Sequence, residues 1–396
     1  MKAKGIALLL ALALLTAACG DGGTQGPPVA PEEKPFAVTV REFPTDSAGD
    51  GMDLCLEVNR GRALFLDQQK SNADAPGGRN TIEFDMTTGE WRELGFWSVA
   101  AQWDGAETYY WVGMTGPVEQ SGISYFGKRE GPEVVTWKEW RQEGIWRGND
   151  RGEGELLYLF PDNKRREIQS LDLWGDLLCW REWIRDESGG LDREEFCLLD
   201  LESLELRRLD KNAQFWVDGG ALLSLDRKGI LRAEDLATGE EFFNRWVDGC
   251  TRAFYRDGKV IWNEGAAGFH VYDCRTEKTR DLADPGAQEE EIVWELGLIR
   301  GRYLVYRVVE PQPEGPDLRT YPDLHRGLRV FDLEAGEVVY RSLEDPRVEK
   351  RENWYYSQML ADPAGGTVLL VGQEHEPVEY WGLTGKGALS VFTLGE

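Results

Sequence analysis

One short pattern recurs along this sequence, and the recurrence restricts the possible folds more than any other feature does. Each copy is a β-prone run that ends in Asp, followed by a turn with Gly four residues later. The clearest copies are residues 81–90, 231–240 and 328–337. The Asp side chain is suited to capping the turn, and Gly supplies the positive φ that such a turn requires. The pattern therefore predicts a β-hairpin repeated along the chain.

The spacing of the copies predicts how many there are. Weaker copies reach their Asp-equivalent positions at Gly127, Asp162, Asp200, Asp273 and Thr393. Most steps between successive positions are about 40 residues, the length of a four-stranded blade in a closed ring of sheets. We therefore expect an all-β ring of four-stranded blades, with eight blades as the first prediction and seven as the alternative.

The two ends of the repeat region complement each other. Residues 36–43 alternate in the manner of a strand but belong to no complete repeat, and residues 389–396 begin a copy without completing it. Pairing these segments closes the ring and removes an open sheet edge, which would otherwise promote aggregation. We therefore expect residues 36–396 to form one domain that is closed by an N-terminal strand.

The Asp-Leu-x-Thr-Gly-Glu hairpins resemble those of bacterial β-propellers of the quinoprotein-like and TolB-like groups. The resemblance covers nearly all of residues 36–396 and implies a β-propeller fold. A Trp often closes the quinoprotein-like motif, but here Trp91 follows Gly89 too early, and Phe242 and Phe243 occupy the corresponding place in a later copy. This departure argues against one functional hypothesis, a quinone-cofactor dehydrogenase, which is weaker than the two hypotheses given below.

The N-terminus has the features of an export signal. Lys2 and Lys4 precede an apolar run at residues 6–15, which is too short to span a bilayer. The following Thr-Ala-Ala-Cys-Gly sequence resembles the lipobox of bacterial lipoproteins. It implies a signal peptide at residues 1–18, a lipidated Cys19, a tether at residues 19–35 and a location outside the cytoplasmic membrane. The alternative is ordinary secretion with cleavage after Ala18.

Charge restricts the possible partners. The chain has 71 Asp and Glu against 45 Lys and Arg, a formal net charge of -26. Such a surface repels nucleic-acid phosphates and an anionic membrane, so we expect no nucleic-acid partner and membrane attachment through the lipid only. The expected partner is a cell-envelope protein or peptide, and one with basic residues is a candidate.

Tryptophans follow the repeat positions at related distances, near the predicted start of each innermost strand. One hypothesis is a ligand-binding ring of indoles at one mouth of the central channel, able to stack on sugars or a peptide. The other is packing between blades. The series consists of Trp97, Trp140, Trp174, Trp216, Trp246, Trp294 and Trp354.

Five cysteines remain besides Cys19, so at least one is unpaired within the chain. Cys179 and Cys197 lie on consecutive predicted strands, on either side of a turn at residues 186–191, and this placement predicts a disulfide. The sequence has no CxxC motif and no Cys/His cluster, so we expect no zinc site.

Few groups suited to catalysis are present. The histidines are His270, His325 and His375, and the sequence contains neither a GxSxG elbow nor a phosphate-binding P-loop. We therefore predict no catalytic residue, metal or cofactor, and a protein- or peptide-binding scaffold as the function. The alternative is a carbohydrate-binding or carbohydrate-cleaving propeller that uses Trp stacking and paired carboxylates.

Overall fold

The computed structural model describes residues 36–45, 54–67, 79–124, 133–160, 166–186, 190–209, 213–264, 268–284, 292–309, 327–348, 354–375 and 383–395. These residues form β-strands, their turns and one short 3₁₀ helix, Ser342–Glu344. Within them, no helix has the length and apolar character that crossing a membrane requires. The predicted signal peptide, Cys19 and tether lie outside the described residues.

Among the described residues, the strands form seven four-stranded antiparallel sheets, which we call blades. β1 (Val38–Thr45) is the fourth strand of blade 7. Blade 1 contains β2 (Leu54–Asn59), β3 (Arg62–Asp67), β4 (Arg79–Asp85) and β5 (Trp91–Ser98). Blade 2 contains β6 (Ala101–Trp103), β7 (Tyr109–Ser124), β8 (Glu133–Gly148) and β9 (Gly154–Leu159). Blade 3 contains β10 (Arg166–Trp174), β11 (Leu177–Arg185), β12 (Leu191–Asp200) and β13 (Leu206–Leu209).

The remaining blades follow the same order of strands. Blade 4 contains β14 (Ala213–Asp218), β15 (Ala221–Asp226), β16 (Ile230–Asp235) and β17 (Glu241–Trp246). Blade 5 contains β18 (Ala253–Arg256), β19 (Lys259–Glu264), β20 (Gly268–Asp273) and β21 (Lys278–Ala283). Blade 6 contains β22 (Ile292–Ile299), β23 (Tyr303–Val309), β24 (Arg329–Asp332) and β25 (Glu337–Arg341). Blade 7 contains β26 (Trp354–Asp362), β27 (Thr367–His375) and β28 (Leu383–Leu394), with β1 at its outer edge.

The ring closes by pairing the two ends of the propeller. β1 lies antiparallel to β28, with Val38 opposite Leu394 and Phe43 opposite Leu389. First strands of neighbouring blades contact each other at β22–β26, β2–β6, β6–β10 and β14–β18, and β26 contacts β2 across the closure. These first strands are therefore the innermost ones and surround the central channel. The structure is an all-β propeller in which an N-terminal strand completes the last blade.

The prediction of eight blades is wrong, because one blade was counted twice. The repeat positions assigned to Gly127 and Asp162 both belong to blade 2, in which β7 and β8 are each 16 residues long. Gly127 falls in the connection between these strands, and Asp162 follows the last strand of the blade, β9. Both residues lie outside the described part of the chain. The turn after the third strand of blade 2 is instead capped by Asn149, whose Oδ1 accepts from the N–H groups of Arg151 (3.0 Å) and Glu153 (3.1 Å).

The predicted hairpin chemistry is present in the other copies. At Asp85, Asp200, Asp235, Asp273 and Asp332, one carboxylate oxygen accepts from the backbone N–H groups two and three residues later. The residue four positions after the Asp has a positive φ in every case, whether it is a glycine such as Gly239 (71°) or another residue, as at Leu204 (57°) and Glu277 (55°). These turns fix the geometry of the outer two strands in each blade.

The two faces of the ring differ in their connections. One face, which we call the turn face, carries the tight turns from first to second and from third to fourth strand, such as Asp257–Gly258 with φ of 50° and 73°. The opposite face, the loop face, carries the connections from second to third strand and from blade to blade. The longest of these span residues 68–78, 310–328 and 342–353, and residues 68–78, 310–326 and 349–353 lie outside the described part of the chain. Variable connections on a rigid scaffold are common sites of binding.

Apolar side chains are buried mainly between blades. One cluster joins Phe84 of blade 1 to Leu369 and Val391 of blade 7. Another joins Phe254 of blade 5 to Phe331 of blade 6. Since no blade can bury both of its faces alone, the closed ring is the unit that folds.

Candidate functional site in the central channel

Polar side chains from three successive innermost strands meet in the channel. Glu57 lies on β2, Gln102 on β6 and Asp172 on β10. Gln102 Nε2 donates to Glu57 Oε2 (2.9 Å) and to the carbonyl oxygen of Leu171 (2.5 Å), so it links blades 1, 2 and 3. Gln102 is only 2% exposed, and its position is therefore fixed. We call Glu57, Asp172 and Arg252 the channel cluster.

Arg252, just before β18 in blade 5, interacts electrostatically with both carboxyl groups of the channel cluster. Since blades 1, 3 and 5 are not neighbours, these electrostatic interactions act across the channel. Among the described residues, neither Glu57 nor Asp172 forms an ion pair. Asp172 has exposed surface although protein surrounds it, as expected of a side chain that lines a channel.

Burial perturbs both carboxyl groups. Removal from bulk water raises the pKa of Glu57 to about 8; the hydrogen bond from Gln102 and the charge of Arg252 oppose this, while Asp172 and Asp362 add to it. Burial also raises the pKa of Asp172, and the charges of Arg252 and Arg181 lower it. The channel therefore holds a carboxyl group that is largely protonated at neutral pH and that a cationic ligand would ionise.

A second polar group joins the ends of innermost strands at the turn face. Asp218 ends β14, forms an ion pair with Arg256 at the end of β18, and accepts from the N–H of Tyr255 (2.9 Å). The Arg256 guanidinium lies over the ring of Trp174, 5.0 Å from its centroid. Blades 3, 4 and 5 are thus joined where their innermost strands end, and Asp218, unlike Glu57 and Asp172, has an ion-pair partner in the described part of the chain.

At bulges in two innermost strands, backbone groups form hydrogen bonds with a glutamine side chain of the preceding blade. The backbone of Cys55 donates to Gln358 Oε1 (2.8 Å) and accepts from Gln358 Nε2 (3.2 Å). The N–H of Ile168 donates in the same way to Gln142 Oε1 (2.5 Å). The register of β2 and β10 shifts at these points. The bulges therefore re-aim the side chains that follow them, Glu57 and Asp172 among them.

The predicted tryptophan series does not occupy equivalent positions. Trp174 and Trp216 lie on the innermost strands β10 and β14, whereas Trp97 and Trp246 lie on the outermost strands β5 and β17. Trp246 is 67% exposed, and Trp216 packs against the apolar cluster between blades 4 and 5. The structure does not bring these four indoles to one mouth. The side chains of Trp140, Trp294 and Trp354 are outside the described part.

The predicted disulfide between Cys179 and Cys197 is not formed, and both thiols are free. Cys179 lies opposite Leu198, and Cys197 lies opposite Trp180. The two sulfur atoms therefore point to opposite faces of blade 3, because directly opposed residues share a face and successive residues alternate. Burial raises the pKa of both thiols.

His270 is the histidine whose side chain the structure describes, and its contacts are with other side chains of blade 5. His270 Nδ1 lies 2.8 Å from Asp281 Oδ1, and its ring stacks on Trp262 with centroids 5.1 Å apart. Within the described ranges, no group of three or more His, Cys, Asp or Glu is arranged to hold a metal ion. The side chains of His325 and His375 lie outside that part of the chain.

Sequence reasoning did not single out the channel cluster. Its available signal was an acidic residue inside an apolar run, as in Leu171-Asp172-Leu173, on a strand expected to be innermost. With 71 acidic residues in the chain, this signal cannot be separated from chance without the fold.

Two solved structures align with most of this chain at low sequence identity. The computationally designed Ika8 protein aligns over 80% of this chain and 81% of its own, with 14% identity and a TM-score of 0.41. The β-propeller domain of Cps50 (Swd1) from Myceliophteria thermophila aligns over 91% of this chain and 100% of its own, with 12% identity and a TM-score of 0.48. No protein-family model matches the sequence, and no curated protein matches it.

Proposed function

We propose that this chain is a lipid-anchored, extracytoplasmic β-propeller that binds a cell-envelope protein or peptide and receives a basic side chain of that partner in its central channel. No catalytic step is assigned to the channel. The observation that carries the proposal is the channel cluster, in which Glu57 and Asp172 lack an ion-pair partner among the described residues. A lysine or arginine side chain would supply the missing positive charge and hydrogen-bond donors.

The chemistry of the cluster favours a cationic group over a neutral one. Burial keeps Glu57 largely protonated near neutral pH, since its pKa is about 8. A bound cation lowers that pKa, so binding releases a proton and strengthens as pH rises. Arg252 limits the number of positive charges that the channel accepts, because a like charge near it is unfavourable. The expected ligand is therefore one basic side chain rather than a polycationic strand.

Titration of short peptides tests this proposal. We expect a peptide with one Arg flanked by Ala to bind at low ionic strength, and the same peptide with Glu in place of Arg not to bind. Glu57→Gln combined with Asp172→Asn should weaken binding at least about tenfold, as expected for loss of charge-assisted hydrogen bonds. Glu240→Gln, which removes one charge from an exposed turn of blade 4, is the matched control and should leave binding unchanged.

Other results would contradict the proposal. Equal binding by the channel variant and the control would show that the cluster is not the site. Binding of neutral oligosaccharides that is lost in Trp174→Ala but kept in the channel variant would instead support the carbohydrate alternative. A glycan array and a set of charged peptides, measured on the same protein, separate the two.

The anchor is a separate part of the proposal. β1 begins at the turn face, where Val38 pairs with Leu394, so the preceding chain joins the propeller at that face. Cys19→Ser should move the protein from the membrane fraction to the soluble fraction and abolish incorporation of labelled palmitate. Retention in the membrane fraction would contradict lipid anchoring.

A further inference from the structure

A cleft of about 540 Å³ opens between blade 7 and blade 1 at the turn face. It lies beside the seam where β1 completes the ring, and we call it the closure cleft. The buried side chains of Met86 and Val391 form the apolar part of its lining. Thr87, Thr367 and Thr393 contribute hydroxyl groups. Its size suits a small molecule or a headgroup rather than a folded partner.

Two arginines line the closure cleft from different blades. Arg41 comes from β1, and its Nη1 donates to the carbonyl oxygen of Thr87 (2.8 Å). Arg60 comes from the first turn of blade 1, and its Nη1 donates to the carbonyl oxygen of Gly105 (3.0 Å). A guanidinium carries five N–H donors. Each side chain is thus held in place by one backbone carbonyl and keeps further donors for a ligand.

The lining contains no carboxylate, although the chain has a net charge of -26. Glu42 follows Arg41 on β1, and successive side chains of a strand point to opposite faces. Two other acids close in sequence to the lining are directed at backbone N–H groups. Asp362 accepts from Gly61 (2.8 Å), Ala364 (3.1 Å) and Gly365 (2.8 Å), and Asp85 accepts from Thr87 (2.7 Å). Asp362 thereby links the turns of blades 7 and 1, and Asp85 caps its own turn. Because these carboxylate oxygens are occupied by backbone N–H groups, the two guanidinium groups are the charged side chains of the lining that keep donors for a ligand.

We propose that the closure cleft binds a phosphate group, with Arg41 and Arg60 contacting its oxygens. Two guanidinium groups match the charge of a phosphate monoester, and their planar donor sets suit bidentate contact with phosphate oxygens. The hydroxyls of Thr87 and Thr393 add neutral donors around the same space, whereas Thr367 Oγ1 already donates to the carbonyl oxygen of Gly365 (3.3 Å). The phosphate would belong to a free small molecule or to the headgroup of a lipid. This site is separate from the channel, so the proposal does not rest on the proposed function.

Binding of two probes tests the proposal. All measurements use the full chain with the substitution Cys19→Ser, so that no lipid on the protein contributes to the binding of vesicles. The soluble probe is inorganic phosphate, followed by calorimetry at low ionic strength. The membrane probe is a set of vesicles with and without phosphatidylglycerol, followed by co-sedimentation. We expect saturable binding to one or both probes that weakens as salt is added.

Arginine variants locate the site. Arg41→Gln and Arg60→Gln should each weaken binding at least fivefold, and the double variant should abolish it, whereas Arg60→Lys should retain part of it. Arg300→Gln is the matched control, because Arg300 lies in a turn on the same face and donates to the carbonyl oxygen of Gly395 (3.0 Å), outside the cleft. Thermal unfolding of each variant checks that the propeller is intact.

The outcomes separate the sources of phosphate and can overturn the proposal. Arginine-dependent binding to inorganic phosphate identifies a free ligand, and arginine-dependent binding to the anionic vesicles alone identifies a headgroup. No binding to either probe would refute the proposal, as would binding that the double variant retains or that Arg300→Gln reduces equally. Loss of channel binding in a peptide titration would leave these results unchanged.

Discussion

Phe43 of β1 packs edge-on against Phe84 of β4, with ring centroids 5.2 Å apart and an interplanar angle of 78°. The N-terminal strand therefore contributes a side chain to the core between blades 7 and 1, in addition to its ladder with β28. A Cβ on Gly89 would lie 2.6 Å from Phe43 Cε1. This glycine is thus required both by its φ of 80° and by the approach of the aromatic ring.

Removal of this ring should weaken closure of the propeller. We expect Phe43→Ala to lower the free energy of unfolding by about 2 kcal/mol, below the range for a fully buried Phe because Phe43 is partly exposed. Urea unfolding followed by tryptophan fluorescence measures the change. Thr39→Ala, an exposed position on the same strand, is the control and should have little effect. Equal stability of both variants would show that closure does not depend on the aromatic contact.

The turn at Leu204 should be improved by glycine. Leu204 has a φ of 57° and is 51% exposed, so glycine relieves backbone strain and sacrifices little packing. We expect Leu204→Gly to raise the free energy of unfolding by about 0.5–1 kcal/mol. The opposite change at the equivalent position of blade 4, Gly239→Ala, should lower it by about 1 kcal/mol. Thermal melts of the pair check both signs, and a destabilised Leu204→Gly variant would contradict the account.

The raised pKa of Glu57 predicts a stability that depends on pH. Between pH 4.5 and about 8 the folded protein keeps a proton on Glu57 that the unfolded chain has lost. This contribution therefore falls as pH rises through that window. Glu57→Gln should match the native protein in stability near pH 4 and exceed it by on the order of 2 kcal/mol at pH 9. Urea unfolding across this range measures it, and a constant difference between the two proteins would exclude a perturbed carboxyl.

The two thiols of blade 3 should remain reduced and unreactive in the folded protein. Cys179 and Cys197 are 1% and 0% exposed, and burial raises the pKa of each, so an alkylating reagent should reach them only after unfolding. We expect peptide mapping under denaturing, non-reducing conditions to find both residues alkylated. The Cys19→Ser variant lacks the predicted lipidation site, which simplifies the mapping. Recovery of a peptide linked through Cys179 and Cys197 would contradict the observed strand register.

Local chemistry explains which parts of the fold the sequence predicts. The hairpins at Asp85, Asp235 and Asp332 are predictable because capping and positive φ depend on neighbouring residues alone. Closure by residues 36–43 is predictable from the unmatched strand at each end. Blade 2 is not, because its long β7–β8 hairpin changes the spacing and Asn149 replaces the Asp. The sequence 149–152, Asn-Asp-Arg-Gly, was the available signal for that turn.

The candidate site depends on contacts that local chemistry does not encode. Glu57, Asp172 and Arg252 are distant in sequence and lie on three blades that are not neighbours, so only the closed ring relates them. The disulfide prediction failed for a related reason. Two strands were correctly placed side by side, but a register that differs by one residue turns Cys179 and Cys197 to opposite faces.

The position of β1 sets a constraint on the order of events in folding. β1 is the first of the strands to leave the ribosome, yet its partner β28 lies at the other end of the repeat region. The four strands of every other blade are consecutive in the sequence, so each of these blades can form during synthesis. Blade 7 can form only after β28 has been synthesised. Before β1 pairs with β28, the edge of β28 is unpaired and Phe43 is absent from the core between blades 7 and 1. The ring of blades is then open. The last cooperative step in folding therefore joins the two strands that are farthest apart in the repeat region.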